Sequence, residues 1–146
     1  MAVTTWLVDT GPFIAYVNRR DPVHAAVTRR LDDFTGHLVT TGAVVTEVMH
    51  FVSGVPGGPL AFAELLIASG TQIAETSDPK MMLVAADLMA SYADTPMDFA
   101  DATLVQLADA VGVIDILTLD RRGFSTYRTA KGKAFRLVLS GDAGMR

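Results

Sequence analysis

The sequence predicts an α/β fold in which a mainly parallel sheet of four to five strands is covered by helices on both faces. Short apolar runs that suit buried strands alternate along the chain with longer segments of helical periodicity. Glycines and prolines that favour turns separate the two kinds of segment. Strands that alternate with helices form parallel sheets buried on both faces, so this alternation decides the fold class.

The element boundaries come from residues that start or stop helices. Pro12 suits a first helical turn, Asp78 and Pro79 combine a capping acid with a first-turn proline, and Gly112 is a natural helix end. The expected strands cover residues 5–9, 37–41, 71–75, 113–119 and 134–139. The expected helices cover residues 12–17, 22–34, 43–51, 60–68, 78–92 and 98–111, and loops cover residues 53–59 and 121–133.

Length and composition indicate a single domain, residues 1–146, with ample apolar residues for a core. The sequence has no cysteine, which excludes a disulfide scaffold and a thiolate metal site and suits the reducing cytoplasm. No window holds about 18 consecutive uncharged apolar residues, so we expect no membrane span. The N-terminus has no pattern of a secretory signal.

Charge is unevenly distributed along the chain. The net charge is −4, yet six of the twelve Lys and Arg residues lie between Asp120 and Asp142 with no acid among them. Such a segment suits a basic edge that binds a polyanion on an otherwise acidic chain. A solvated surface tail is the ordinary alternative, and charge alone does not separate the two.

Two aspartates stand where predicted strands end. Asp9 directly follows the apolar run at residues 6–8, and Asp120 follows the strand that contains residues 116–119. The carboxyl ends of parallel strands share one edge of a sheet, and ligands bind at that edge where the strand order reverses. If the two strands are neighbours at that point, the two carboxylates lie side by side.

Three further acids lie on predicted helices. Asp98 and Asp101 are three residues apart at the start of the last long helix, which puts them on one face. Glu47 lies on a predicted apolar helix face, an unusual place for a charge. The other members of that face are Val44, Val48 and Phe51. Each acid also has an ordinary explanation as a helix cap, a turn residue or an ion-pair partner.

Acids that converge on one sheet edge repel one another and lose hydration unless a cation lies among them. Oxygen ligands without cysteine or paired histidine favour a hard divalent ion, Mg²⁺ or Mn²⁺, and such ions promote phosphodiester hydrolysis. Other Mg²⁺-dependent families fit less well. The chain lacks the Asp-x-Asp of haloacid-type phosphatases and the late strand-end lysine of phospho-acceptor domains.

The ordered motifs resemble those of PIN domains, and specifically the VapC-type toxins of toxin–antitoxin modules. The matching segments are Val8-Asp9-Thr10-Gly11-Pro12, Glu47, Asp98-Phe99-Ala100-Asp101-Ala102 and Leu117-Thr118-Leu119-Asp120-Arg121-Arg122-Gly123-Phe124. They span nearly the whole chain in the expected order. Many relatives carry serine where this sequence has Gly11, so no hydroxyl role carries over to that position.

The resemblance implies a Mg²⁺- or Mn²⁺-dependent endoribonuclease with a three-layer α/β/α sandwich. The acids that match its catalytic and metal-binding positions are Asp9, Glu47, Asp101 and Asp120, with Asp98 as an additional outer ligand. Thr10 and Thr118 are expected to orient a carboxylate or a water. The residues expected to bind the RNA backbone are Arg121, Arg122, Arg128, Lys131 and Lys133.

The resemblance also implies a cognate antitoxin that covers the acidic site, and a homodimer. An apolar face at residues 44–51 and the loop and helix at residues 56–66 are the expected seats of an amphipathic antitoxin helix. The methionine-rich segment 81–89 is the expected dimer face. The alternative functions are a PIN nuclease that processes RNA outside a toxin role and a non-catalytic RNA-binding domain.

Overall fold

The computed structural model describes residues 3–139, so the predicted domain, residues 1–146, extends beyond the described part at both ends. Strands and helices alternate along the chain as the sequence predicted. In chain order they are β1 (Thr5–Val8), α1 (Thr10–Val17), α2 (His24–Asp32), β2 (His37–Thr41), α3 (Gly42–Val52), α4 (Gly58–Ser69), β3 (Gln72–Ala74), α5 (Pro79–Ser91), α6 (Phe99–Val111), β4 (Asp115–Leu117), α7 (Arg121–Thr126) and β5 (Arg136–Leu137).

The five strands form a sheet in the order β3-β2-β1-β4-β5, and neighbouring strands are parallel throughout. The chain builds the sheet from β1 to β3 and then returns to β4 on the other side of β1. The strand order therefore reverses between β1 and β4. The predicted α/β class with a parallel sheet is confirmed, and the strands that precede Asp9 and Asp120 are neighbours.

Helices cover both faces of this sheet. Crossovers between parallel strands are right-handed, which puts α1 to α4 on one face and α5 to α7 on the other. In agreement, α1 packs against α2, α3 and α4, while α5 packs against α6. The central strands contribute Leu7, Val8, Ile116 and Leu117 to the core, all completely buried. Within residues 3–139, no helix combines the length and the apolar character needed to cross a membrane.

Several predicted boundaries are wrong. The segment 121–133, predicted as a loop, begins with α7, because the Asp120 side chain caps its first turn. Residues 58 and 59, also predicted as loop, open α4, where Pro59 fits the first turn. The last two strands cover only Asp115–Leu117 and Arg136–Leu137.

The predicted apolar face of α3 is confirmed at Val44 and Val48 and wrong at Phe51. Its buried residues are Val44, Val48 and Val52, whereas Phe51 is 56% exposed. Glu47 is half-buried at the border of this face, one turn before Phe51. The charge of Glu47 therefore reaches a cleft at the protein surface instead of lying in the core.

Phe13 tests the packing of α1 against α4. Its ring is completely buried and lies edge-on to Phe62, with ring centroids 5.2 Å apart. We expect Phe13→Ala to lower the free energy of unfolding by about 3–5 kcal/mol, since it leaves a cavity in a close-packed core. Leu60→Ala, at a side chain 66% exposed on α4, should change it by less than about 0.5 kcal/mol. Urea denaturation measures both, and equal effects would contradict this packing.

Candidate active site

A cleft of about 460 Å³ opens at the carboxyl ends of β1 and β4, where the strand order reverses. The residues that line it are Asp9, Thr10, Gly11, Ile14, Glu47, Asp98, Asp101, Leu119, Asp120 and Arg122. The structure therefore brings together all five acids that the sequence predicted as metal ligands. They come from the ends of two strands and from two helices that are distant in sequence.

Asp9 lies at the centre of this arrangement and is only 7% exposed. One carboxylate oxygen, Oδ1, accepts a hydrogen bond from the Thr10 backbone N–H at 2.8 Å, so Asp9 caps α1. The other, Oδ2, accepts a hydrogen bond from Oγ1 of Thr118 at 2.7 Å. Oγ1 of Thr118 in turn accepts from the backbone N–H of Asp120 at 2.9 Å. One threonine hydroxyl thus links the two strand-end acids.

Burial raises the pKa of Asp9 to about 6. The hydrogen bonds from Thr118 and Thr10 lower the pKa, and the nearby charges of Asp98 and Asp120 raise it further. The net shift is upward because loss of hydration outweighs two hydrogen bonds. Asp9 therefore holds its negative charge against an environment that disfavours it, as expected of a carboxylate that binds a cation.

Asp98 and Asp101 form a reciprocal cap at the start of α6. Oδ1 of Asp98 accepts from the Asp101 backbone N–H at 2.8 Å, and Oδ2 of Asp101 accepts from the Asp98 backbone N–H at 3.1 Å. Asp101 is only 8% exposed. Its pKa lies well above the ordinary value, first because of burial and then because of the charges of Asp9 and Asp98.

Asp120 is held by the first turn of α7. Its Oδ1 accepts from the backbone N–H of Gly123 at 2.9 Å. A Cβ at position 123 would overlap Oδ2 of Asp120 and lie 3.0 Å from Cε2 of Tyr127. The hydroxyl of Tyr127 donates to the carbonyl of Pro96, which precedes the α6 cap, at 2.7 Å. Gly123 and Tyr127 thus connect the supports of Asp120 and Asp98.

Neither of these supporting residues was predicted from the sequence. Gly123 stands three residues after Asp120, which is the spacing between an N-cap residue and the backbone N–H that it accepts. The sequence therefore held a signal for Gly123. Nothing in the sequence pattern pointed to Tyr127. Its ring lies beside Gly123 and Asp120, and burial, followed by the charges of the neighbouring carboxylates, raises the pKa of its hydroxyl.

The two predicted hydroxyl groups differ. Thr118 orients Asp9, as described above. The buried Oγ1 of Thr10 makes no hydrogen bond to any residue in the described part of the chain, although Thr10 lines the cleft. A buried hydroxyl without a partner usually meets water or a ligand group.

The predicted RNA-binding residues also separate. Arg122 lines the cleft, and Arg121 is exposed beside it at the start of α7. Nη1 of Arg128 instead donates to three backbone carbonyls at the end of α7, those of Ser125, Thr126 and Tyr127. Lys131 and Lys133 are exposed in the segment that follows α7, and neither lines the cleft.

The donor set fits a hard divalent cation. The cleft offers carboxylate oxygens, and none of its acids is ion-paired with a Lys, Arg or His among residues 3–139. Within those same residues, no three Asp, Glu, Cys or His side chains form a ready metal-binding group. Three of the acids are engaged as helix caps, so their carboxylates must turn towards a shared ion to bind it.

Comparison with known proteins decides the family. The model of the PIN domain matches residues 6–131. The chain belongs to the PIN-domain family. The curated protein Ribonuclease VapC26 of Mycobacterium tuberculosis is 33% identical to this PIN domain over 133 residues, which cover 90% of this chain and 98% of the relative. The resemblance to VapC-type PIN domains that the sequence motifs indicated is confirmed.

Two solved structures share the PIN fold at low sequence identity. VapC20 of Mycobacterium tuberculosis, described as a toxin that cleaves the sarcin–ricin loop, matches with a TM-score of 0.68 and 16% identity over 77% of this chain and 87% of that chain. VapBC2 from Rickettsia felis, bound to a DNA fragment from its promoter, matches with a TM-score of 0.56 and 12% identity, covering 82% and 90% respectively. At these identities the likeness concerns the fold.

Asp101→Asn should stabilise the metal-free protein at neutral and alkaline pH. The pKa of Asp101 is raised from 3.8 on folding. Below about pH 4 the carboxyl is protonated in both the folded and the unfolded state, and the stability is fully present. That stability is lost as the pH rises through the folded-state pKa, because ionised Asp101 is disfavoured in the folded protein. Because one pKa unit corresponds to about 1.4 kcal/mol, the variant should be more stable than the wild type by about 1 kcal/mol or more at pH 8 in EDTA.

Urea denaturation at pH 4 and pH 8 measures this difference, which should shrink at the lower pH. Asp87→Asn, at an exposed position on α5, serves as the control and should show no such trend. An Asp101→Asn variant that is less stable than the wild type at pH 8 would contradict the repulsion described above.

Proposed function

We propose that this PIN domain is a divalent-metal-dependent endoribonuclease and the toxin of a toxin–antitoxin pair. The observation that carries the proposal is the convergence of five carboxylates, with Arg122, on one cleft at the switch point of the sheet. A relative of nearly equal length, one-third identical, is named a ribonuclease. We assign Asp9, Glu47, Asp101 and Asp120 as its catalytic acids, with Asp98 as an outer ligand.

The acids would hold Mg²⁺ or Mn²⁺, because hard divalent ions prefer carboxylate oxygens. A bound divalent cation supplies charge neutralisation at the phosphate and activation of water for in-line hydrolysis. Asp9 is the best-placed shared ligand, since burial and two hydrogen bonds fix both of its oxygens. Thr10 lines the same cleft, and its buried Oγ1, which has no partner among the described residues, would accept or donate a hydrogen bond to a group bound there.

The residues of this chain position the reaction in three ways. Thr118 holds Asp9 and, through the Asp120 backbone, keeps the two strand-end acids in register. Gly123 gives Asp120 the room that its carboxylate occupies. Arg122, at the cleft, would contact a phosphate oxygen of the RNA and neutralise part of its charge. Hydrolysis would leave a 5′-phosphate on one product and a 3′-hydroxyl on the other.

The remaining basic residues would raise the affinity for RNA more than the rate of hydrolysis. Arg121, Lys131 and Lys133 are exposed and free to contact the RNA backbone. Arg128 is a weaker candidate, because its guanidinium already satisfies the carbonyls at the end of α7. Contacts to the RNA backbone strengthen binding in a salt-dependent way without specifying the sequence.

The proposed antitoxin would use exposed apolar side chains on α3 and α4. Met49 and Phe51 on α3 and Leu60 on α4 are exposed and offer such a surface, in place of the buried Val44 and Val48. Exposed Met82, Leu83 and Val84 on α5 are consistent with the proposed dimer face. We also propose that the protein is one domain and acts in the cytoplasm, where its RNA substrate is found.

Asp9→Asn should abolish metal-dependent RNA cleavage without unfolding the protein. The variant loses a charge at the centre of the acidic cleft, and the loss should exceed about 100-fold, since even changes to residues behind metal ligands cost about 10- to 100-fold. Thr118→Val, which removes the hydrogen bond to Asp9, should fall in that lower range. The measurement is cleavage of a single-stranded RNA with and without EDTA.

The matched control is Asp109→Asn, since Asp109 lies on α6 away from the cleft and accepts hydrogen bonds from the Ala130 backbone. That variant should cleave like the wild type. EDTA-sensitive cleavage by Asp9→Asn at the wild-type rate would reject the assignment. Wild-type RNA binding with no cleavage at all would favour the non-catalytic alternative.

Gly123→Ala should impair the site more than the fold. The added Cβ would displace the Asp120 carboxylate, so Mn²⁺ affinity and cleavage should each fall by about 10-fold or more. The loss of stability should stay near 1 kcal/mol, the usual cost of a weakened helix cap. Gly54→Ala is the control, because a Cβ there meets only an ordinary contact at 3.7 Å. Wild-type Mn²⁺ affinity in Gly123→Ala would show that Asp120 needs no such room.

A further inference from the structure

A second, larger cleft of about 760 Å³ lies next to the catalytic cleft. Glu47 and Asp98 line both clefts, so the two are neighbours. The second cleft is further lined by Phe99 at the start of α6, by Thr46 and His50 on α3, and by Glu75 after β3. The hydrolysis proposed above makes no use of these four residues.

We propose that this second cleft binds one nucleobase adjacent to the cleaved phosphate, and that Glu75 makes it favour a base with an exocyclic amine over uracil. The proposal rests on the proposed ribonuclease function and adds to it a substrate preference. It assigns Phe99 as the stacking surface and Glu75 as the acceptor for the amine.

The charges around the second cleft select a base instead of a phosphate. Glu47 and Asp98 belong to the proposed metal ligands, which leaves Glu75 as the carboxylate proper to this cleft. His50 also lines it, but no Lys or Arg is among its described lining residues. A phosphate there would meet the charge of Glu75 without a Lys or Arg to offset it. A flat, uncharged ring with hydrogen-bond donors on its edge suits a space that has carboxylate acceptors and apolar walls formed by Ala43 and Ala100.

Phe99 offers a fixed surface for stacking. It is the first residue of α6, directly after the reciprocal cap of Asp98 and Asp101, and its half-buried ring packs against the core. The rest of the ring faces the second cleft. Single-stranded RNA is commonly bound through unstacked bases that pack on aromatic side chains. A base at Phe99 leaves its own phosphate at the neighbouring carboxylates and Arg122.

Glu75 offers an exposed acceptor. Its carboxylate lies at the N-terminus of α3, where a Cβ on Gly42 would approach Oε1 to 2.8 Å. A carboxylate accepts hydrogen bonds and offers no donor of its own. Ser77 donates to Oε2 at a long 3.4 Å, so acceptor capacity is left. Adenine, cytosine and guanine each carry an amine donor for it, whereas uracil presents carbonyl oxygens on either side of one N–H.

The test is cleavage of a pool of single-stranded RNA with a randomised segment, in which the products are sequenced to read the bases that flank each cut. The wild type should show one flanking position depleted in uracil. Glu75→Gln should lose that depletion while it retains cleavage, and Glu64→Gln, at an exposed glutamate on α4 outside both clefts, should keep it. Phe99→Leu should lower kcat/KM by about 5- to 150-fold. Phe99→Tyr, which keeps an aromatic ring, should have the kcat/KM of the wild type.

The outcomes separate this proposal from the proposed function. Melting temperatures near that of the wild type for Phe99→Leu and Phe99→Tyr would tie the loss of rate to stacking. If Glu75→Gln and Phe99→Leu keep the wild-type preference and rate while Asp9→Asn is inactive, the base site is refuted and the ribonuclease stands. If these two variants change only the affinity for the antitoxin, the cleft binds protein and the proposal is wrong. If the wild type cleaves no RNA, both proposals fail.

Discussion

The candidate site depends on the burial of one carboxylate. Asp9 ends the central strand of the sheet, beside the point where the strand order reverses, and Thr118 and the Thr10 backbone hold both of its oxygens. The cost of burying that charge appears in its pKa, raised to about 6 chiefly by loss of hydration. A sequence under selection for stability alone has no reason to keep such a group, since a neutral side chain would avoid this cost. The cation that the cleft is suited to bind supplies the reason.

Helix caps reduce the repulsion among the acids that meet in the cleft. Asp9, Asp98 and Asp120 are the capping residues of α1, α6 and α7, and Asp101 completes the cap of α6. Three helices therefore direct the positive ends of their dipoles towards the cleft, which offsets part of the repulsion. The ordinary interpretation of these residues as caps and the functional interpretation as ligands are not alternatives. The caps hold the side chains beside the cleft, and a turn of the carboxylates brings them to a shared cation.

Much of this arrangement follows from local sequence. The abrupt ends of apolar runs at Asp9 and Asp120 located the carboxyl edge, because strands of a parallel sheet all end there. The two aspartates lie side by side only if β1 and β4 are neighbouring strands, and in the sheet they are. Helix α7 escaped prediction because six residues with a glycine among them carry no apolar periodicity, and a single cap starts the helix. Tyr127 and the second cleft depend on long-range packing, which one sequence does not encode in any local pattern.

The central claim is that the buried acids form a divalent-cation site, and a crystal grown with Mn²⁺ tests it most directly. An anomalous difference map should show a peak in the cleft within coordination distance of Asp9 and of at least one of Asp101 and Asp120, about 2.0–2.3 Å from the oxygens. The Asp120 carboxylate should have turned from Gly123 towards the ion. A well-ordered cleft without a peak at saturating Mn²⁺, or a peak bound only elsewhere on the protein, would contradict the account.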